Sequence, residues 1–443
     1  MKRQVNFLYF RRVQMKKLNL LIWCCCLLLS QSLMAQIEGE VIKPYKANFL
    51  LTNAKIYTVT KGILEDHDLL IEDGLIKAIG KNIPQQNHTV IDCTGKSLYP
   101  GFIDSGTSLG IVEVNSLKET QDYMELGKVT PQMQALTAVN PNGVAIPVTR
   151  VSGVTAVLTQ PRGGHFPGTA ALINLNGYTP AQMFGGFKGV IMNYPSAVRS
   201  GSNDTRSLED LQKTATKNLD EINELWEKAA TYLAIKTKGG ELEYYPEMEQ
   251  LSKVLNKELP LLIEVNAAKD IVSALEWIKE KDVNVVLTGV AEGWKVADKI
   301  AAAGVPVITG PVLTLPSRDS DHYAASSPHP ALLQKAGVKV ALRTMEAENV
   351  RNLPFNAGFA AAYGMGITEA LKAITIIPAE IFGVDDSLGS LEEGKKASLF
   401  ISDGDPFEPK TQIHQVFIDG YRIPMTNRHI RLYQEFLERE MQP

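Results

Sequence analysis

The sequence is poor in the residues that build disulfide frameworks and metal centres. Its 443 residues include only four cysteines and seven histidines. Cys24, Cys25 and Cys26 lie together inside an apolar run near the N-terminus. If that run is a cleaved leader, Cys93 remains alone, and neither an internal disulfide nor a thiol pair for redox or zinc chemistry can form. The folded protein must then depend on its hydrophobic core.

A strong charge of either sign is also missing. Lysine and arginine number 45 against 49 aspartates and glutamates, which gives a net charge of −4. No basic cluster occurs beyond the first residues, which argues against nucleic-acid binding. The hydrophobic share of 44% is ordinary for a globular protein and is enough for one large core plus a smaller domain.

The N-terminus has the order of a secretory signal. Lys16 and Lys17 precede an apolar run from Leu18 to Leu29, and small or mildly polar residues follow from Ser30 to Ala35. This order predicts a signal peptide within residues 1–35, because the apolar run is too short to span a bilayer comfortably.

The leader pattern predicts export, to the periplasm or as a secreted protein, with no membrane span after signal removal. Met15 is a better start for such a signal than Met1, so residues 1–14 are expected to be an upstream extension. The mature chain is expected to begin near Gln36. N-terminal sequencing of the exported material checks this, and an intact 18–29 segment in that material would contradict it.

Both ends of the mature chain are predicted to be β structure. Alternating apolar residues flank the dipeptides Asp73-Gly74 and Asp419-Gly420, which suit tight hairpin turns. Between these ends, short β-rich runs alternate with amphipathic segments, which favours parallel βαβ units. The pattern alone does not distinguish a closed barrel from an open sheet. The clearest of these runs are Leu261–Val265, Val283–Leu287, Val305–Ile308 and Val338–Leu342.

One stretch, residues 98–110, resembles the signature of the amidohydrolase superfamily. Pro100-Gly101, two apolar residues and Asp104 match the family pattern Pro-Gly-apolar-apolar-Asp-x-His-x-His, and residues 389–397, Gly-Ser-Leu-Glu-Glu-Gly-Lys-Lys-Ala, are similar to its C-terminal motif. Within this superfamily, the sequence resembles the imidazolonepropionase-related branch. It implies an α/β fold, a TIM (β/α)8 barrel over residues 98–384, with a flanking β-sandwich built from both termini, residues 36–97 and 385–443.

The resemblance also implies where a catalytic metal would be bound, and those positions are changed. The two signature histidines are replaced by Gly106 and Ser108, two later histidines by Glu264 and Thr288, and a final aspartate by Met345. The family would use zinc or another divalent ion. Glycine offers no donor, hydroxyls are weak ligands and methionine suits zinc poorly. No cofactor is therefore predicted, and these five residues are expected to meet at the barrel mouth.

Other residues could replace the lost chemistry. Glu264 and Glu346 lie at or near predicted strand ends, and paired carboxylates can perform acid–base catalysis. Lys188 resembles a lysine that, when carboxylated, bridges two metals in some relatives. Without histidines around it, Lys188 is expected to form an ion pair with Glu264, with Ser108 and Thr288 as further donors.

The glycine-rich stretch Pro161–Gly168 is the remaining candidate. Adjacent glycines after a strand let a backbone approach a ligand, and Arg162 and His165 could recognise an anion there.

Three functional hypotheses remain open. The first is an exported hydrolase of C–N bonds by resemblance that is degenerate, a pseudoenzyme, because the metal ligands are missing. The second is a hydrolase with a rearranged site of Glu264, Lys188 and Glu346. The third is a non-catalytic binding protein for a small molecule, or a partner that forms a hetero-oligomer with an active amidohydrolase homologue.

Overall fold

The computed structural model describes residues 43–199, 204–315 and 321–440. The predicted leader, residues 1–35, lies outside these ranges, so the export prediction stays a prediction. All elements below belong to one unit, residues 44–443.

In the described residues, a nine-stranded composite sheet joins the N-terminal and C-terminal parts of the fold. The hairpin turns predicted at Asp73-Gly74 and Asp419-Gly420 connect neighbouring antiparallel strands, β3 with β4 and β16 with β17. The N- and C-terminal parts meet where Tyr99 of β6 pairs with Phe400 of β15. The strands of this sheet are β1 Tyr45–Lys46, β2 Phe49–Tyr57, β3 Ile63–Glu72, β4 Leu75–Gly80, β5 Thr89–Asp92, β6 Ser97–Pro100, β15 Leu399–Ser402, β16 Ile413–Ile418 and β17 Tyr421–Ile423.

A second sheet of eight strands curls into a nearly closed barrel, in the sequential order β7 to β14. Beside the composite sheet of both termini, it confirms the predicted fold class. Its strands are β7 Phe102–Thr107, β8 Val154–Thr159, β9 Gly168–Asn174, β10 Phe184–Asn193, β11 Leu261–Val265, β12 Val285–Gly289, β13 Val307–Thr309 and β14 Val340–Leu342.

Helices and single turns connect these strands. None of those in the described ranges is long and apolar enough to cross a membrane. The helices are α1 Ala135–Ala138, α2 Ala145–Arg150, α3 Pro180–Met183, α4 Leu208–Thr237, α5 Pro246–Leu255, α6 Ala268–Lys281, α7 Ala297–Ala303, α8 His329–Lys335, α9 Leu353–Ala360, α10 Ile367–Lys372, α11 Ile376–Ile381 and α12 Arg428–Glu440, with 3-10 turns at Lys118–Thr120, Gly293–Val296 and Ala347–Asn352 and a π-helical turn at Ala361–Met365.

One strand departs from the expected parallel barrel, because β9 runs antiparallel to both β8 and β10. The connection from β8 to β9 spans only residues 160–167. A parallel neighbour needs a crossover of about a dozen residues or more. This connection is too short for one, so the chain turns back as a hairpin.

The barrel encloses a core to which each of its eight strands contributes. Alternate residues point inward, as the two-residue period of a strand requires. Phe382 of the segment after α11 packs against the lower part of this core, with its ring 4.7 Å from that of Phe187. The N-terminal ends of the seven strands that run in the same direction are thereby covered, while their C-terminal ends form the mouth. The inward residues are Ile103, Ala156, Leu158, Ala170, Leu172, Phe187, Ile191, Leu262, Val286, Ile308 and Ala341.

Candidate functional site

A bidentate ion pair lies at the mouth of the barrel. The Arg343 guanidinium donates from Nη1 to Oε2 of Glu264 at 2.7 Å and from Nη2 to Oε1 at 2.8 Å. The two-residue period of a strand explains why both side chains point into the mouth. Each stands two residues after an inward apolar residue, Leu262 on β11 and Ala341 on β14. The planar guanidinium matches the carboxylate with two parallel hydrogen bonds.

The pair is largely withdrawn from solvent, with 3% of the Arg343 side chain exposed and 20% of the Glu264 side chain. Burial by itself would raise the pKa of Glu264. The charge and hydrogen bonds of Arg343 outweigh this, helped by Thr288 at 2.8 Å and Asn266 at 3.2 Å, and lower the pKa to about 2. Glu264 is therefore an ionised carboxylate of low basicity, which suits it poorly to act as a general base near neutral pH.

Four of the five residues that stand at the family's metal-ligand positions are linked near this ion pair by hydrogen bonds or close contacts. Thr288 binds Glu264 directly, and the Met345 backbone N–H donates to the Gly106 carbonyl at 2.9 Å. A Cβ added to Gly106 would lie 3.0 Å from Cδ of Arg343. The arginine thus occupies the space that a side chain at position 106 would enter. Ser108 is buried just after β7, but it is not a hydrogen-bond partner of Glu264 in the described part of the chain.

The predicted ion pair between Lys188 and Glu264 is wrong. The inward residues of β10 include Phe187 and Ile191, so Lys188 points away from the barrel interior. Its ammonium donates instead to Oε1 of Gln134 at 3.1 Å. Lys188 also precedes Asn193, the register partner of Glu264, by about 16 Å of extended strand.

Glu346 also stands apart from the ion pair. It is exposed at the start of the 3-10 turn Ala347–Asn352, where its carboxylate accepts a hydrogen bond from Asn349 at 3.3 Å. The structure therefore does not bring Glu264, Lys188 and Glu346 together as a catalytic cluster.

The glycine-rich loop separates its two candidate residues. Arg162 reaches the mouth and donates to the Met345 carbonyl, and burial together with the nearby Arg343 charge lowers its pKa. His165 turns to the long helix α4, where its Nε2 lies 3.3 Å from a carboxylate oxygen of Glu221. A histidine next to a carboxylate is a poor anion receptor, so the two do not form a joint anion site.

Asp104 ties the two strands that close the barrel. Its carboxylate accepts hydrogen bonds from the N–H groups of Gly106 at 3.0 Å and Thr344 at 3.2 Å, and from the Thr344 hydroxyl. Burial raises its pKa to about 6, against the opposing effect of these bonds. Because Thr344 follows Arg343, this link fixes the backbone from which the arginine extends.

A cavity of about 510 Å³ opens beside Glu264. Its wall combines amide, hydroxyl and carboxylate groups, several of which are already paired within the protein, as Asp270 is with the Ser196 hydroxyl at 2.7 Å. The volume suits a small molecule. The lining residues are Asn193, Tyr194, Ser196, Val198, Arg199, Glu264, Val265, Asn266, Ala267, Asp270, Ala291 and Glu292.

Arg343 is the residue that the sequence prediction overlooked. A signal for it was present, because in the run Val340-Ala-Leu-Arg343 an inward Ala341 places Arg343 on the same face. A charged residue two positions beyond an inward apolar residue at a strand end points into the mouth.

Comparison with known proteins agrees with this architecture. The family model described as "Amidohydrolase family" matches residues 261–423, which include Glu264, Thr288 and Arg343. A crystal structure of an amidohydrolase from Thermotoga maritima superposes with a TM-score of 0.75 at 27% identity, over 86% of this chain and all of that one. The chain belongs to the amidohydrolase superfamily.

Shorter stretches of this amidohydrolase-superfamily chain match curated relatives. It is 42% identical over 66 residues to a dihydroorotase of Thermoanaerobacter sp. (strain X514), which is 14% of this chain and 15% of the relative. It is 34% identical over 90 residues to a D-hydantoinase of Geobacillus stearothermophilus, 20% of this chain and 18% of the relative. The matches thus span less than a fifth of the length of either relative.

The residues at the mouth of the barrel do not fit a divalent metal ion. Position 106 has no side chain, and Glu264 already has both oxygens bound to a guanidinium. A cation at the same point would meet the positive charge of Arg343 at close range. Within residues 43–199, 204–315 and 321–440, no three His, Cys, Asp or Glu side chains are grouped so that they could hold a metal ion.

Proposed function

We propose that this protein is an exported, non-hydrolytic member of the amidohydrolase superfamily that binds a small molecule at the barrel mouth. The observation that carries the proposal is the bidentate Glu264–Arg343 pair, which stands where the family's metal ligands would converge. Export rests on the leader pattern of residues 1–35.

The geometry supports this over a rearranged hydrolase. A hydrolytic site without a metal needs a base poised to take a proton and a second group to return it. Glu264 is ionised, but its basicity is suppressed by Arg343, while Lys188 points away from the mouth and Glu346 lies apart in solvent. None of these three residues is therefore suited to perform the family's hydrolysis of C–N bonds.

The cavity beside Glu264 supports ligand binding. Its volume of about 510 Å³ falls within the range of small-molecule sites. Asn193 and Asn266 contribute amide groups to its wall, and Glu264, which Arg343 holds in place, contributes its carboxylate side chain. A mouth held open by fixed hydrogen bonds can bind a ligand without performing chemistry on it.

Metal uptake and hydrolysis test the proposal together. The mature protein, saturated with zinc and then passed through gel filtration, is expected to retain far less than one zinc per chain and to hydrolyse hydantoin and dihydroorotate no faster than buffer. The Glu346→Gln variant serves as the matched control for Glu264→Gln, because it removes a carboxylate that is exposed and stands apart from the ion pair. Stoichiometric zinc with hydrolysis that Glu264→Gln abolishes would overturn the proposal and support a rearranged enzyme.

A second proposal is that the chain pairs with an active amidohydrolase homologue. Loops after β7 and β13 carry exposed apolar residues on the mouth side, among them Leu126 at 97% exposure. Apolar side chains that are exposed together on one side of a protein favour a protein interface. Size-exclusion chromatography with light-scattering detection tests this on a mixture with a histidine-bearing homologue. Separate peaks, each with the mass of one protein alone, would exclude the pairing.

A further inference from the structure

A second cavity lies at the opposite end of the barrel from Glu264. It has a volume of about 530 Å³ and is bordered by the composite sheet and by α10. Tyr99 precedes the start of β7, and Leu371 precedes Ile374, whose carbonyl accepts a hydrogen bond from Ile103 at the same end of that strand. Because Glu264 stands at the C-terminal end of β11, the two cavities are separate sites.

The wall of this cavity is apolar and stiff. The Tyr57 and Tyr99 rings stack with their centres 4.2 Å apart, and Tyr99 stacks in turn on Phe400 at 5.5 Å. Ring stacking and burial leave these side chains little freedom. The whole lining consists of Tyr57, Val59, Gly62, Ile63, Tyr99, Ile367, Thr368, Leu371, Asp405, Pro406 and Phe407.

The turn that forms one side of the cavity holds an unfavourable backbone conformation. Val59 has a φ of 75°, a region that β-branched residues rarely adopt. The Thr58 hydroxyl fixes the turn by donating to the Gly62 carbonyl at 2.6 Å and accepting from the Lys61 N–H at 2.9 Å. Backbone strain of this kind clusters at ligand-binding positions, where the surrounding structure maintains it.

Asp405 is the charged residue of this lining. One carboxylate oxygen accepts the Phe407 N–H at 2.9 Å. Among the described residues, no lysine, arginine or histidine lies within ion-pair distance of it, and the turn hydrogen bond alone does not balance its charge. Burial, then Tyr57, then Asp405 raise the pKa of Tyr99, which is consistent with a carboxylate close to the stacked rings.

We propose that this cavity binds a small organic cation, an ammonium group joined to an apolar aryl-alkyl body. The ammonium would pair with Asp405, and the apolar body would cover Val59, Leu371 and Phe407. A carboxylate beside an apolar wall that has no cationic partner among the described residues gains most from a ligand that brings both a positive charge and apolar surface. The proposal is independent of any ligand at the mouth.

Calorimetric titration at pH 7 with 2-phenylethylamine and its neutral isostere 2-phenylethanol tests the inference. The amine is expected to bind about tenfold more tightly than the alcohol, since one charge-assisted hydrogen bond distinguishes them. Asp405→Asn is expected to remove this preference while leaving the affinity for the alcohol unchanged. The asparagine can still accept the Phe407 N–H, so the turn should persist, and a thermal melt verifies this.

Asp403→Asn is the matched control. Asp403 lies in the same loop but outside the cavity, where it accepts the Gln412 N–H at 2.8 Å. This variant is expected to keep the wild-type preference for the amine. Equal affinity for amine and alcohol in the wild type, a preference that survives Asp405→Asn, or no binding of either compound would each overturn the inference.

Discussion

Replacement of Arg343 by methionine is expected to destabilise the protein by about 3 kcal/mol, since it leaves Glu264 as an unpaired charge in a largely buried site. The double variant Glu264→Leu/Arg343→Met is expected to recover most of this loss, because well-packed apolar residues can replace a buried ion pair at little cost. Urea denaturation of the single and double variants measures both effects. A double-mutant cycle then gives the coupling energy of the pair.

The acid dependence of stability provides a second measure of the same pair. The pKa of Glu264 is lowered from 4.5 to about 2 in the folded state. Its contribution to stability is thus fully present above pH 4.5 and is lost as the pH falls through about 2. Arg343→Met should lack this acid-labile contribution. Asp104 acts in the opposite sense, because its raised pKa costs stability above about pH 6 and stops doing so below 3.8.

Arg351→Met is the control for the first prediction, because Arg351 is an exposed arginine in the turn that follows β14. Its effect is expected to stay within about 0.5 kcal/mol. A cost below about 1 kcal/mol for Arg343→Met would show that the pair contributes little. The ion pair would then not explain the shape of the mouth.

Restoration of the metal ligands is expected to fail unless Arg343 is also removed. A histidine at position 106 would place its Cβ 3.0 Å from Cδ of Arg343, and the guanidinium would repel a divalent cation by several kcal/mol. Addition of Arg343→Ala should allow uptake of one zinc ion per chain, measured by elemental analysis after gel filtration. The restoring substitutions are Gly106→His, Ser108→His, Glu264→His, Thr288→His and Met345→Asp.

This prediction is tested by comparing zinc uptake by the restored variant with and without Arg343→Ala. If the five restoring substitutions give stoichiometric zinc while Arg343 is present, the arginine does not occupy the metal position. The Arg343→Ala variant alone controls for the removed charge and should bind no zinc, because it adds no ligand. Circular dichroism of each variant separates failed folding from failed binding.

The sequence predicted the fold well because its strongest signals are local. The Asp-Gly turns and the Pro100-Gly101 signature define where strands start and end, and these features appear where expected. The reversal of β9 follows from the short connection over residues 160–167, which the sequence contains but which strand patterns do not reveal. Parallel and antiparallel strands share the same two-residue period.

The site was harder to predict, because it depends on which strand face each residue occupies and on distant partners. Lys188 and Glu264 lie on strands that pair side by side, yet opposite faces of the sheet separate them. His165 contacts Glu221, which belongs to the helix α4, and nothing in the sequence around the loop indicates this partner. Only Arg343 could have been placed from its own strand.

Because the Glu264–Arg343 pair stands at the barrel mouth, the shape of the mouth does not depend on the concentration of metal ions around the protein. The stabilisation that a bound ion gives a protein depends on the free concentration of that ion, and a chelator can remove it. Arg343 is attached to the chain, so its effective concentration beside Glu264 is fixed and does not depend on the surroundings. A mouth built in this way would keep its form in metal-poor surroundings.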